Sequence, residues 1–344
     1  MTQSVIVVEN LSMRFKSYKK KEGILGSITS LFSREFHNVE AIKNLSFKVE
    51  HNEIVGLLGS NGAGKTTLIK LMSGILCPSE GSIKVLGSNP FKKEHNFLKR
   101  IAVVSASKGQ LFWDLSALDN FVLLREIYEI DSIKYNRILN ELAQKLNVEH
   151  LLKTQIRRLS LGERMKMEII GSLLHLPELI FLDEPTVGLD VTSMQELRSF
   201  LITHAKETKC TIIITSHNLT DIATLCNKLL LISKGRIHYS GTMSDFQEEY
   251  GNKKTLTVIF DNDMQNSIDV FNKIIDSELD YTVENDKLIV SIEGAKITNL
   301  THVLLNQFSD RIMDIKIEEP RIEDLIQEIL FEGKVSLNEN VRSS

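Results

Sequence analysis

The sequence predicts an α/β architecture followed by a smaller α+β domain, and three observations carry that prediction. Short β-rich runs alternate with helical patterns over the first three-quarters of the chain, the layout of a sheet with crossover helices. A glycine-rich turn separates one such run, Ile54–Leu58, from a helical pattern beginning at Thr67. Beyond Gly251 the order becomes strand, helix, strand, strand, helix, strand, which is the ferredoxin-like arrangement. At roughly 100–200 residues per domain, the 344 residues accommodate two domains, expected at 1–250 and 251–344.

Composition narrows the class. Hydrophobic residues make up 42% and charged residues 25%, a globular mix with enough apolar material for a core, which argues against disorder. No run approaches the roughly 18 apolar residues of a membrane span. The N-terminal Met-Thr-Gln-Ser lacks the basic and apolar regions of a secretory signal, so a cytosolic location is expected. Cys77, Cys210 and Cys226 show no CxxC spacing, against both a disulfide framework and a zinc site. The net charge of -4 divides unevenly: residues 252–344 hold 10 basic and 18 acidic side chains, leaving +4 on residues 1–251. That is not the concentrated basic face a duplex-binding protein needs, and no nucleic-acid partner is expected.

Taken in order, the expected strands are Ser4–Val8, Leu45–Val49, Ile54–Leu58, Ser82–Leu86, Ile101–Val104, Leu179–Leu182 and Thr211–Thr215. Residues 16–40 form an insert that opens with Lys19, Lys20 and Lys21 and continues with Ile24, Leu25, Ile28, Leu31, Phe32 and Phe36 at helical spacing. It is either a helix packed on its own sheet or a basic amphipathic element lying on headgroups or a membrane partner. From about residue 106 to 176 the pattern is helical, with Phe121, Leu124 and Ile127, then Ile138, Leu142 and Leu146, spaced by three or four, marking a helical subdomain. Lys234-Gly235, between Lys228–Ser233 and Arg236–Ser240, suits a tight hairpin. In the second domain the helices fall at Ile268–Asp276 and Ile297–Phe308, and Asp261, Asp263, Glu318 and Glu319 read as a solvated acidic surface.

The strongest local signal is Gly59-Ser60-Asn61-Gly62-Ala63-Gly64-Lys65-Thr66, which fits G-x-x-x-x-G-K-[ST] between a strand and the helix that starts at Thr67. The glycines let successive N–H groups turn toward a phosphate, and the helix N-terminus adds partial positive charge. Lys65 is placed to reach the β- and γ-phosphates of ATP, and the Thr66 hydroxyl to meet Mg²⁺. Downstream, Asp183 and Glu184 end the apolar run Leu179–Leu182. Asp183 can join the Mg²⁺ shell, and Glu184 can orient and deprotonate an attacking water.

Three further segments complete a pattern: Leu159-Ser160-Leu161-Gly162-Glu163 upstream, and Pro185-Thr186-Val187-Gly188-Leu189-Asp190 and Ser216-His217 downstream. In order and spacing, residues 4–250 resemble the nucleotide-binding subunits of ABC transporters, with the form Leu-Ser-Leu-Gly-Glu-Arg similar to an exporter-associated branch. The resemblance implies a P-loop ABC-type ATPase cassette in which two cassettes sandwich two ATP molecules head-to-tail. With one phosphate loop per chain, the second cassette is another copy or a paralogue. Ser160 and the Gly162 N–H would then contact the partner's γ-phosphate, His217 would hold the γ-phosphate, and Asp190 would bridge the two sites. Phe15 occupies the position of an adenine-stacking aromatic, or else is a core residue. The resemblance further implies an integral membrane permease as partner, peripheral attachment at the cytoplasmic face of the cell membrane, and export over uptake. A soluble ABC-type ATPase acting on ribosomes or nucleic acid is the alternative.

The chain departs from the family pattern in two places. Leu161 replaces a glycine and Glu163 a glutamine, and a positive φ at position 161 would strain a leucine. The family's Mg²⁺-touching glutamine after the strand Ile101–Val104 is also absent, leaving Ser107 or Gln110 for that role. Trp113, beside Leu111 and Phe112, is either an anchor for the permease or a core residue.

Overall fold

The computed structural model describes residues 4–18, 36–105, 109–216, 218–250, 253–261, 279–284, 286–319 and 325–326. They divide into two compact units, Met1–Gly241 and Thr242–Ser344.

The main elements of the first unit are β1 (Ile6–Tyr18), β2 (Phe36–Val49), β3 (Ile54–Leu58), α1 (Lys65–Met72), β4 (Glu80–Val85) and β5 (Ile101–Ser105). There follow α2 (Ala117–Ile127), α3 (Ser132–Lys145), α4 (Leu161–Leu173), β6 (Leu179–Asp183), α5 (Val191–Thr208), β7 (Thr211–Ser216), α6 (Leu219–Leu225), β8 (Lys228–Ser233) and β9 (Arg236–Thr242). One sheet has the order β2-β1-β4 and a six-stranded sheet the order β5-β6-β7-β3-β8-β9. Strands β3, β6 and β7 are buried along their whole length, which is why they read as uninterrupted apolar runs rather than alternating ones. Ile6, Leu11 and Ile42 from the first sheet, Leu57, Phe181 and Ile213 from the second, and Leu68 and Leu71 of α1 share one core. The helical block has strong local signals: Ser116 caps α2 through the Asp119 N–H, and Asp131 caps α3 through those of Ile133 and Lys134.

Two expectations change here. The runs Ser4–Val8 and Leu45–Val49 belong to much longer strands, whose ladder continues to Tyr18↔Phe36. Asn10 and Asn44, with φ of 48° and 51°, lie where the register shifts, and asparagine tolerates the left-handed conformation that such a bulge requires. Phe36 is therefore a strand residue, and both ends of the 16–40 insert are sheet. Cross-strand pairing there overrides the helical spacing. The remainder of that insert, including Ile24, Leu25, Ile28, Leu31 and Phe32, lies outside the described residues.

The second unit opens with α7 (Met243–Tyr250), which the compositional change at Gly251 had assigned to the first domain. Then come β10 (Lys253–Phe260), β11 (Asp280–Glu284), β12 (Lys287–Glu293), α8 (Gly294–Phe308) and β13 (Ile312–Glu318), with the sheet order β11-β12-β10-β13. Its pairings are antiparallel, the first strand lying between the third and the fourth; this is the ferredoxin-like order. Alternate residues Leu256, Val258 and Phe260 face the same core as Leu288, Val290 and Ile292, against Ile297, Leu300, Leu304 and Phe308. The expected helix Ile268–Asp276, and Asp263, lie outside the described residues. Of the acidic set, Asp261 pairs with Arg311 at 3.8 Å and Glu319 with Lys254 at 3.2 Å.

Candidate nucleotide-binding and hydrolysis site

The site assembles at the carboxyl ends of three neighbouring strands. Strand β7 runs parallel to both β3 and β6, with Leu58 beside Ser216 and Asp183 beside Thr215. Consequently the loop that leaves β3, the carboxylates that end β6 and the turn that leaves β7 all meet on one edge, where such sheets place ligands. Two glycines hold the loop in place. A Cβ at Gly59 would lie 2.1 Å from the Ile232 carbonyl oxygen, and one at Gly64, whose φ is 112°, would lie 2.8 Å from that of Ala41. Gly62 is open, with nothing within 4 Å of an added Cβ. No side chain caps α1 at Gly64, so its first N–H groups are not spent on a side chain. Ser60, Asn61, Gly62 and Thr66 are exposed, Thr67 half-buried and Ala63 buried.

Lys65 is buried at 6% exposure. Its ammonium donates to the carbonyls of Gly59 at 2.7 Å and Ser60 at 3.3 Å, and lies 3.9 Å from Glu184 Oε1. Burial lowers its pKa, while Glu184 and then Asp183 pull it back. Thr66 Oγ1 donates toward Asp183, 3.1 Å from each carboxylate oxygen. The hydroxyl and the carboxylate form an all-oxygen donor set, the chemistry Mg²⁺ prefers when phosphates and waters supply the rest of its shell.

A residue to which the sequence reading gave no role at the site organises these groups. Thr215 Oγ1 donates to Asp183 Oδ1 at 2.8 Å and accepts from the Glu184 N–H at 2.9 Å. Glu184 itself sits at φ 54°, a left-handed conformation costing about 1–3 kcal/mol for a non-glycine residue and retained where neighbours over-determine it. The bond from its N–H to the Thr215 carbonyl, 3.2 Å, supplies a second constraint. The only signal in the sequence was Thr215's place in Thr-Ser-His.

Ser160 caps α4 in a reciprocal box: its Oγ accepts from the Glu163 N–H at 3.3 Å, and its N–H donates to Glu163 Oε2 at 2.8 Å. Glu163 thus uses a carboxylate oxygen where an amide oxygen would serve. Leu161 is the first helical residue and not a positive-φ position, so the strain considered from the sequence does not arise. A Cβ at Gly162 would lie 2.6 Å from Ser193 Oγ, so the starts of α4 and α5 are in close contact. Asp190 caps α5, accepting from the Ser193 N–H at 2.9 Å and hydroxyl at 2.6 Å; these bonds hold its carboxyl pKa below the usual value. Ser160, Leu161 and Asp190 are exposed.

The loop after β5 is tied to α4 by Glu168, another residue the sequence reading missed. This nearly buried carboxylate accepts from the N–H groups of Gln110 at 3.0 Å and Leu111 at 3.4 Å. Burial raises its pKa, and the two N–H groups oppose the shift. Gln110 enters through its main chain and is exposed. If Gln110 rather than Ser107 takes the Mg²⁺-touching role, Gln110→Ala should leave the clamp and ATP affinity intact while lowering permease-coupled ATPase; an unchanged coupled rate rules Gln110 out. Ser107 and His217 lie outside the described residues. Phe112 and Trp113 are 59% and 55% exposed, with the Arg164 guanidinium 5.1 Å from the Trp113 ring. Phe15 is 37% exposed, so neither Trp113 nor Phe15 is a core residue.

The profile described as ABC transporter matches residues 42–187. Over 220 residues the chain is 31% identical to the ABC transporter ATP-binding protein NatA of Bacillus subtilis, covering 63% of this chain and 89% of NatA. It is 34% identical over 209 residues to the bacitracin transport ATP-binding protein BcrA of Bacillus licheniformis, covering 61% and 67%. Among solved structures, a dimeric ATP-binding cassette in a post-hydrolysis state with ADP and Pi aligns at TM-score 0.57 and 18% identity, over 69% of this chain and 98% of that one, a likeness of fold. With the phosphate loop and the acidic strand end meeting as described, these similarities show that the chain belongs to the ABC transporter ATP-binding proteins, ATPases whose hydrolysis is coupled to transport.

Proposed function

We propose that this chain pairs head-to-tail with a second cassette, hydrolyses ATP at the shared interface and drives export through a separate integral membrane permease. The observation that carries the proposal is the convergence of Lys65, Thr66, Asp183 and Glu184 on one sheet edge, while Ser160 stands exposed at another helix N-terminus of a chain with a single phosphate loop. In this reading Gly59–Thr66 and Thr67 bind the phosphates and Phe15 stacks on adenine. Thr66 and Asp183 hold Mg²⁺, which neutralises phosphate charge when bound. Glu184 accepts the proton of the attacking water and His217 orients the γ-phosphate. Ser160, the Gly162 N–H and Asp190 serve the nucleotide of the facing chain.

The export direction is supported by the Leu-Ser-Leu-Gly-Glu-Arg segment, and BcrA, named for bacitracin transport, suggests a peptide-like or amphiphilic substrate. The exposed pair Phe112 and Trp113 fits a permease contact, since large aromatics anchor interfaces. The second unit is an accessory domain in this scheme, and the chain is peripheral at the cytoplasmic face. Purifying the tagged chain from detergent-solubilised membranes should recover an integral membrane protein in fixed ratio. Phe112→Ala/Trp113→Ala should abolish that recovery while ATP binding persists. Recovery of ribosomal RNA or other nucleic acid at moderate salt, with no membrane protein, would overturn the proposal.

A further inference from the structure

The turn that leaves β7, the loop between Glu184 and Asp190 and the helix that Asp190 caps all touch one buried side chain, Asp221 of α6. Asp221 is fully buried. Its Oδ2 accepts from the Thr186 hydroxyl and, at 3.2 Å, from the Ser216 hydroxyl. Its Oδ1 is held by the Arg198 guanidinium of α5. Ser216 in turn accepts from the Asn218 N–H at 2.9 Å, which ties the end of β7 to the N-cap of α6. Thr186 lies two residues past Glu184 and four before Asp190.

We propose that Asp221 is a positioning residue for hydrolysis: one carboxylate ties the loop that follows Glu184 to the end of β7 and to the helix that Asp190 caps. Buried carboxylates need partners, and a core of this size could have used apolar residues at all four positions. What the polar network adds is directional bonds that tie residue 186, two positions past Glu184, to the end of β7 at residue 216 and to the helix that Asp190 caps at residue 198. A displacement of about 1 Å in a group the reaction uses can cost on the order of 10²-fold in rate, whereas the phosphate loop contributes no atom to this network. Disturbing it should therefore lower turnover and spare nucleotide affinity. The inference rests on the reading of Glu184 as the hydrolytic base.

The test uses the full-length chain and reads ATP affinity, steady-state turnover and thermal midpoint together. Removing Asp221 leaves Arg198 unpaired in the interior and endangers folding, so the informative variants keep that ion pair: Thr186→Val and Ser216→Ala. Each should reduce kcat about tenfold with ATP affinity within about twofold of wild type. Because the two hydroxyls share one acceptor oxygen, the double variant should lose less than the product of the single losses. A lowered thermal midpoint with unchanged kcat in both variants overturns the proposal, leaving Asp221 merely structural. Glu184→Gln measured in the same assay keeps the failures apart. Wild-type turnover there overturns the hydrolytic reading and this inference with it; lost turnover there, with unchanged kcat in Thr186→Val and Ser216→Ala, overturns only the role of Asp221.

Discussion

Replacing Glu184 by glutamine should lower steady-state ATP turnover by about 10²–10⁴-fold, the usual contribution of a general base, while leaving ATP affinity nearly unchanged. The amide matches the carboxylate in shape but cannot take up the water's proton. The fold should tolerate the change, because the N–H of residue 184, which bonds the Thr215 hydroxyl and carbonyl, is kept in the variant. The 3.9 Å approach of Glu184 to Lys65 weakens, yet Lys65 keeps its two carbonyl acceptors. Phosphate release and nucleotide binding measured on one preparation decide the matter. Full turnover in the variant would remove Glu184 from the chemistry.

Lys65→Ala should weaken ATP binding by roughly 10²–10⁴-fold. Hydrogen bonds to charged groups are worth about 1.5–3 kcal/mol each, two such bonds to phosphate oxygens are at stake, and each 1.4 kcal/mol is about tenfold in affinity. In the structure two of the ammonium's three donors go to the carbonyls of its own loop, so it is held near the site before any phosphate arrives and exchanges at least one carbonyl for a phosphate oxygen on binding. Arginine should not rescue the loss. The site buries Lys65 to 6% exposure, and a planar guanidinium is larger than the ammonium and differently shaped. Titration calorimetry with Mg-ATP checks the prediction; wild-type affinity in Lys65→Ala would refute the assigned role.

Legibility varied with the range of the interactions. Gly59–Thr66 was readable because its glycines, lysine and threonine act within eight consecutive residues, and the β8–β9 turn was readable for the same reason, Lys234 and Gly235 taking φ of 49° and 78°. The ferredoxin-like reading came from the order of strands and helices after Gly251, and the sheet order β11-β12-β10-β13 agrees with it. Expectations failed where a distant partner outweighed a local pattern. Phe36 reads as helical but pairs with Tyr18 across the ladder, and a presumed strain at Leu161 vanishes because Ser160 and Glu163 start a helix there. Trp113 and Phe15 were undecidable from type alone, since an aromatic residue suits a core and an interface equally well.

From its residues alone, this chain declared a strand–loop–helix that binds phosphate, an acidic strand end, a helical block and a second α+β domain, since each depends on neighbours in sequence. Only the tertiary structure decided that Thr215 bonds Asp183 and the backbone of Glu184, that Glu168 holds the loop of Gln110, and that Asp221 joins Thr186, Arg198 and Ser216. The first of these arises from parallel strand pairing and the others from helices packed beside loops and strand ends, each of which sets side by side residues that are far apart along the chain. No local rule of propensity or spacing encodes which hydroxyl will meet which carboxylate across a sheet edge.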